Sequence, residues 1–119
     1  MHVGLNLIFL VPGRTGGMEV AARETIPALV AAAPAGTRFT AFVNRQAGPG
    51  PWGELVPKRE VPVRVANRLE WVRAEQQLLP RLAASERVDV VHSLASTAPL
   101  WGRFRRVVTV HDLIYRRYP

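Results

Sequence analysis

Three pairs of residues in this chain each follow an apolar run of strand character: Gly16 and Gly17, His92 and Ser93, and His111 and Asp112. Glycine lacks a Cβ, so its backbone amide can approach a phosphate or another anion closely. An imidazole can donate or accept a proton near neutral pH. The pairs therefore suit the binding of an anionic ligand beside a proton-transferring group, provided that the fold brings them together.

The glycine pair lies between an apolar run and a helical pattern. Residues 3–11 are almost all apolar, a Pro/Gly/Arg/Thr turn follows, and Glu19 opens a helical pattern after the glycines. In open α/β folds such a junction faces the ligand, because the free N–H groups of the helix point at it. It is neither a Walker loop nor G-x-G-x-x-G, which disfavours a nucleotide triphosphatase and a standard dinucleotide enzyme. A tight turn that binds nothing would need the same glycines, so both interpretations stay open.

His111 is the strongest single candidate for a reactive group, because it follows a strand pattern at the place where this fold class binds ligands. A packed or turn histidine would occupy the same place, so this interpretation also stays open. Asp112 suits the capping of a turn, and His92 suits a packed neutral imidazole bonded to a carbonyl. Ser93 has no sequence neighbour that would make it a nucleophile, and the G-x-S-x-G elbow is absent.

The composition narrows the classes of ligand. The chain has no cysteine, and its histidines and carboxylates show no metal-ligand spacing, so we expect neither a disulfide nor a metal site. The net charge of +7, from 16 basic and 9 acidic residues, favours an anionic partner. The arginines are spread along the chain with few aromatic residues among them, which argues against nucleic acid. Phosphorylated small molecules and anionic lipid headgroups remain.

A parallel sheet with helices on both faces would bring the three pairs together. The apolar patterns predict five strands, at residues 3–10, 37–43, 59–65, 88–92 and 106–110. Helical patterns occupy 18–33 and 69–84, and a brief helix is expected between Ser96 and Trp101. This alternation predicts a doubly wound α/β fold of strand order 3-2-1-4-5, with the third strand at an edge because it contains Pro62. The carboxyl ends of the first, fourth and fifth strands, which carry the three pairs, then border one crevice.

No segment of the chain has the pattern of a membrane anchor. The run 3–11 is too short to span a bilayer and lacks signal-peptide features, so we expect a cytoplasmic protein. Helix 69–84 is amphipathic, is expected to bend at Pro80, and has arginines at its margins that attract anionic lipid. We expect Trp71, Leu78 and Leu82 to pack against the sheet and any membrane contact to be peripheral.

Five motifs, taken in order, resemble the N-terminal half of a family 4 glycosyltransferase: GGME at 16–19, EQQLLPRL at 75–82, VDVVHS at 88–93, VVTVHDL at 107–113 and the final Tyr-Pro. The match runs over essentially the whole chain, and the ordered combination is specific although each motif is weak alone. The resemblance implies a Rossmann-like domain of the two-domain GT-B arrangement. It also implies transfer of a sugar from a nucleotide-sugar, with retention of configuration and without a required metal or other cofactor.

The resemblance assigns roles to individual residues. It implies that the amides of Gly16 and Gly17 approach the donor diphosphate. His111 would lie against the donor sugar as the catalytic group. Ser93 and the loop after it, with His92 beside it, would line the acceptor side, where a saccharide or a lipid-linked sugar would bind.

Two further residues next to these motifs, Glu19 and Asp112, stay without an assigned role. The sequence departs from the family at Val20, where an arginine is common. Family members hold most of the nucleotide, and a pair of glutamates for donor recognition, in a second domain that would follow Pro119. Residues 1–119 are therefore expected to form the acceptor-side domain. The alternative is a stand-alone Rossmann-like module that binds a phosphorylated ligand in the same crevice.

Overall fold

The structure of the 119-residue chain is a computed structural model, and it describes residues 1–9, 17–44, 56–61, 68–94 and 98–108. Five strands form one sheet: β1 His2–Leu7, β2 Arg38–Val43, β3 Lys58–Glu60, β4 Val90–Ser93 and β5 Arg105–Val108. Their order across the sheet is β3-β2-β1-β4-β5, and every neighbouring pair is parallel. The predicted α/β class, parallel sheet and strand order are confirmed.

The third strand lies at an edge of the sheet, as predicted. It spans only Lys58–Glu60, and all three of its residues are exposed. Charged side chains on a short edge strand oppose pairing with a second sheet, which is how many proteins protect such an edge. Pro62, on which the prediction of an edge strand was based, lies outside the described residues.

Helix α1, Gly17–Ala32, covers one face of the sheet and contains Pro27. Strand alternation sends Leu5 and Leu7 of β1 to this face, where they form a buried cluster with Ile26 of α1. Because α1 connects β1 to the parallel strand β2, it must begin at the carboxyl edge of the sheet and end at the amino edge. Among the described residues, no helix is long and apolar enough to cross a membrane.

The opposite face is covered by one continuous helical stretch of three parts: α2 Arg68–Arg73, a π-helical turn Ala74–Leu78, and α3 Leu79–Ser85. The sequence predicted one helix bent at Pro80. Pro80 has no N–H, and in an α-helix its ring would clash with the carbonyl of Gln76. The wider π turn lies directly before Pro80, so the proline is accommodated by a local widening of the helix. Trp71, Leu78 and Leu82 are partly buried and pack against the core, as expected.

The connection from β4 to β5 crosses the same face as α2 and α3. Its described part begins at residue 98, and Ala98–Trp101 is not helical, so the brief helix predicted there is wrong over these residues. The reason is that side chains bind the backbone groups that a helix would have paired internally. Gln76 donates from Nε2 to the carbonyl of Ala98 at 2.9 Å, and its Oε1 accepts from the amide of Leu100 at 2.7 Å.

A buried histidine locks the amino edge of the sheet. His2 has no role in the sequence analysis, yet it is 6% exposed. Its Nδ1 is hydrogen-bonded to the carbonyl of Glu86 at 2.9 Å, and its Nε2 is hydrogen-bonded to the hydroxyl of Thr40 at 2.6 Å. Its backbone amide donates to the Asp89 carboxylate at 2.7 Å. His2 therefore ties β1 to β2 and to the turn before β4, at the edge opposite to the predicted site.

Candidate functional site

The carboxyl edge between β1 and β4 is the point where the chain changes direction across the sheet. From β1 the chain moves to β2 on one side, whereas from β4 it moves to β5 on the other. In open α/β sheets ligands bind in the crevice outside the strands at such a switch point. Gly17, the first residue of α1, lies at this edge. The fold therefore has its switch point where the sequence analysis expected the ligand to bind.

Only some of the predicted site residues fall in the described part of the chain. Gly17 begins α1, and His92 and Ser93 are the last two residues of β4. Glu19 belongs to the first turn of α1, and its side chain is outside the described part. Three more predicted residues lie outside the described ranges altogether: Gly16, His111 and Asp112. The expected convergence of Gly16, Ser93 and His111 thus stays a prediction.

Ser93 is fully buried and belongs to a cluster of polar side chains. It lies beside Asn6 in the register of β4 against β1, and the Asn6 amide donates to its hydroxyl at 3.1 Å. The second partner of that amide is the carboxylate of Glu75, at 3.4 Å. Asn6 and Glu75 are themselves only 3% and 4% exposed. The main role of Ser93 visible in the structure is therefore structural, since its hydroxyl links the carboxyl ends of β1 and β4.

His92 and Ser93 are sequence neighbours, but their side chains leave β4 on opposite faces of the sheet. Ser93 faces the helix that carries Glu75, whereas His92 faces the α1 side. Burial lowers the pKa of the His92 imidazole from its ordinary value of 6.5, so the ring is neutral at pH 7. The predicted neutral, packed imidazole fits this environment. One small ligand group would not contact both side chains from the same side of the sheet.

Two asparagines fix the backbone directly after β1. The amide of Ile8 donates to the side-chain oxygen of Asn6 at 3.4 Å, and the carbonyl of Ile8 accepts from the side chain of Asn44 at 2.6 Å. Asn44 directly follows β2 and is 2% exposed. Both backbone groups of Ile8 are therefore held by side chains, one from β1 and one from the residue that follows β2. This holds the chain in place shortly before the predicted glycine loop.

Glu75 and Gln76 connect the π turn to β1 and to the connection between β4 and β5. Glu75 reaches Asn6 on β1, and Gln76 binds the backbone at Ala98 and Leu100. A π turn places successive side chains differently from an α-helix, and such turns are often found at functional sites. The sequence analysis did not identify Asn6, Asn44 or Glu75. The one available signal was the polar Asn6 inside an otherwise apolar strand pattern.

The described residues hold no group of three or more His, Asp and Glu side chains that could bind a metal ion. Two surface cavities lined by described residues lie at the amino edge, one around His2 and Thr37 and the other around Met1 and Phe104. Neither is lined by Gly17 or Ser93. The topology favours the carboxyl edge over these cavities, since parallel α/β sheets bind ligands there.

Comparisons of this chain with models of known protein families, with curated proteins and with solved structures gave no match. The geometry of the carboxyl edge and the order of the sequence motifs are therefore what support a functional assignment.

Proposed function

We propose that this chain is the N-terminal, acceptor-side domain of a retaining glycosyltransferase of the GT-B arrangement, which works without a metal. It would transfer a sugar from a nucleotide-sugar to a saccharide or a lipid-linked acceptor. One observation supports this most: the helix after the glycine motif begins at the switch point of a parallel sheet of order β3-β2-β1-β4-β5. The ordered motifs of the sequence resemble the same family.

In the proposed reaction the bond between the anomeric carbon and the diphosphate oxygen breaks. The acceptor hydroxyl oxygen bonds to the same face of the sugar and gives up its proton to the departing diphosphate oxygen, and the nucleoside diphosphate leaves. The amides of Gly16 and Gly17, with the start of α1, would stabilise the negative charge that grows on the diphosphate. His111 would contact the donor sugar, and the loop after Ser93 would contact the acceptor.

The buried asparagines would contribute by position rather than by contact with substrate. Asn6 and Asn44 hold both backbone groups of Ile8, so the glycine loop would start from a fixed point. A site whose donors are already in place loses less free energy on reorganising when charge develops. Both asparagines are therefore proposed as positioning residues.

The glycine loop alone would bind a donor weakly. Charge at a helix N-terminus is worth on the order of 1 kcal/mol, whereas micromolar affinity requires about 8 kcal/mol. Most contacts to the base and ribose would have to come from a second Rossmann-like domain. We therefore expect residues 1–119 to bind nucleotide-sugars weakly and to transfer no sugar.

Calorimetry and a transfer assay with a panel of UDP- and GDP-sugars test the proposal. They are run on residues 1–119 and on a protein in which the chain continues into a second Rossmann-like domain. The two-domain protein should bind and transfer, and its His111→Ala variant should lose more turnover than donor affinity. Turnover by residues 1–119 alone would contradict the proposal that sugar transfer requires a second domain.

A stand-alone module that binds a phosphorylated ligand is the second candidate. It is favoured by the net charge of +7 and by the five-stranded sheet that the described residues form. This candidate predicts tight binding of a phosphorylated metabolite by residues 1–119, with no gain when a second domain is added. The same calorimetry therefore separates the two candidates.

A further inference from the structure

The crossover from β4 to β5 exposes two large apolar side chains. Leu100 is 80% exposed and Trp101 is 70% exposed. Two neighbouring apolar side chains of this size with so much exposed surface are unusual, because each would gain free energy by leaving water. Neither residue belongs to the two buried clusters of the core. The pair therefore needs an explanation other than folding.

The backbone that carries this pair is held by side-chain hydrogen bonds on both sides. Gln76 binds the carbonyl of Ala98 and the amide of Leu100. After Trp101, Arg106 donates from Nη2 to the carbonyl of Gly102 at 2.9 Å and from Nε to the carbonyl of Pro99 at 2.8 Å. Leu100 and Trp101 are thus exposed on a segment with a defined shape.

Phe104, three residues after Trp101, anchors the same segment to the core. The Phe104 ring is 6% exposed and packs in the core below the crossover. The Arg106 guanidinium lies over this ring at 4.8 Å from its centroid and also donates to the Phe104 carbonyl at 3.1 Å. Phe104 therefore belongs to the core, whereas Trp101, the other aromatic residue of the crossover, lies at the surface.

The charge next to the exposed pair is positive. Arg103 is exposed, and residues 94–108 contain no aspartate or glutamate. Arg105 is also exposed, but it pairs with Val90 in the sheet, so its side chain leaves β5 on the α1 face, away from the crossover. Arg106 lies on the crossover face and donates to three neutral backbone carbonyls, which leave its positive charge in place. An apolar tip beside these arginines is complementary to a partner with an anionic outer layer and an apolar interior.

We propose that Leu100, Trp101 and Arg103 form a docking surface for an anionic phospholipid bilayer. Tryptophan favours the boundary between headgroups and acyl chains, because its ring is apolar and its N–H is polar. Leucine would enter the acyl region, and Arg103 would contact the lipid phosphates. The chain would lie on the bilayer through this crossover and not span it.

The size of the patch favours a bilayer over a protein partner. A stable protein interface needs about 800 Å² from each side, whereas an aromatic side chain supplies about 150–250 Å². A bilayer accepts a small apolar tip, because lipids rearrange around it and add electrostatic attraction. This proposal does not depend on the sugar-transfer activity and can be tested separately.

Sedimentation with lipid vesicles tests the proposal. Residues 1–119 are mixed with vesicles of phosphatidylglycerol and phosphatidylcholine in equal parts, or of phosphatidylcholine alone. Binding should require the anionic lipid, and Trp101→Ala should lower the partition coefficient about tenfold. Trp101→Phe should restore most of it. Arg103→Gln should lower it about fivefold at low salt and less at high salt.

Matched controls come from the other side of the sheet. Val20 on α1 is 54% exposed, and Arg23 on the same helix is exposed as well. Val20→Ala and Arg23→Gln change the same kinds of side chain on the face away from the crossover, so they should leave vesicle binding unchanged. Circular dichroism should give the same melting temperature for all variants, since every changed side chain is exposed.

Several results would overturn the proposal. These are no binding to anionic vesicles, equal binding to phosphatidylcholine alone, an unchanged partition coefficient in Trp101→Ala, or equal losses in the control variants. If Trp101→Ala fails to fold, Arg103→Gln carries the same test. Binding of the crossover by a protein in the absence of lipid, with no vesicle binding, would assign the surface to a protein partner instead.

Discussion

Replacing Asn6 by alanine removes three hydrogen bonds from the carboxyl end of β1. The bond to Ser93 is 3.1 Å long, and those to Glu75 and Ile8 are both 3.4 Å long. A buried hydrogen bond contributes about 1 kcal/mol net, and long ones contribute less. The alanine variant also removes the Asn6 amide from the buried Ser93 hydroxyl and Glu75 carboxylate, which it contacts in the fold. We expect the free energy of unfolding to fall by about 2–3 kcal/mol, a large share of the roughly 5–15 kcal/mol of a typical domain.

A double-mutant cycle isolates the Asn6–Ser93 contact from the others. Asn6→Ala, Ser93→Ala and the double variant are unfolded in urea and followed by far-UV circular dichroism. The two changes should be non-additive by about 1 kcal/mol, because the double variant loses the shared bond only once.

The control for this cycle pairs Ser93→Ala with Thr40→Ala. Thr40 lies on β2 and Ser93 on β4, so β1 separates them by about 10 Å of strand spacing. Their effects should add to within about 0.5 kcal/mol. If Asn6→Ala and Ser93→Ala add equally well, the hydrogen bond between Asn6 and Ser93 does not stabilise the carboxyl ends of β1 and β4.

Three further outcomes follow from single positions. Gly4→Ala should lower the free energy of unfolding by about 1–3 kcal/mol, because a Cβ there would lie 2.8 Å from the Phe42 ring; the midpoint of urea unfolding measures it. Arg87 has a φ of 56° and closes the end of α3, with the amide of Val88 bound to the carbonyl of Ala83 at 2.9 Å. Arg87→Gly should therefore raise stability by about 0.5–1 kcal/mol, whereas Arg87→Ala, which keeps the Cβ, should not; a gain in both would point to the charge instead. Because the pKa of His92 is lowered in the fold, the unfolded chain takes up a proton first, and stability should fall as pH drops below about 6.5. His92→Gln should flatten that part of the pH–stability profile, and an unchanged slope would contradict the assignment.

The sheet could be predicted because its strands are local patterns. Each apolar run is bounded by turn residues, and the helical patterns between them require parallel strands. The third strand was placed at the edge from Pro62 alone, and the edge position is confirmed. Pro80 predicted a disturbance of the second helix, and the structure contains a π turn directly before it. These features depend on residues close together in the chain.

The polar contacts could not be predicted, because their partners are far apart in sequence. His2 binds groups 38 and 84 residues away, and Asn6 binds Ser93 at a distance of 87 residues. A polar residue in an apolar run shows only that some partner is needed, and the strand register decides which one it is. The brief helix expected between Ser96 and Trp101 is wrong over its described residues for a similar reason. The side chains that bind the backbone there, Gln76 and Arg106, are brought to it by the tertiary fold.

The hydrogen bonds that the sequence analysis did not predict lie beside the loops of the candidate site. Asn6 and Asn44 hold Ile8 before the predicted glycine loop, and Gln76 holds Ala98 and Leu100 on the far side of the loop that follows β4. In a parallel α/β sheet the loops bind the ligand, while the strands and helices determine where each loop begins and ends. A change at one of these side chains would therefore move a loop without removing a group of the loop itself. If the proposed sugar transfer is correct, such a variant should lose turnover more than it loses donor affinity, since correct orientation contributes most in the transition state.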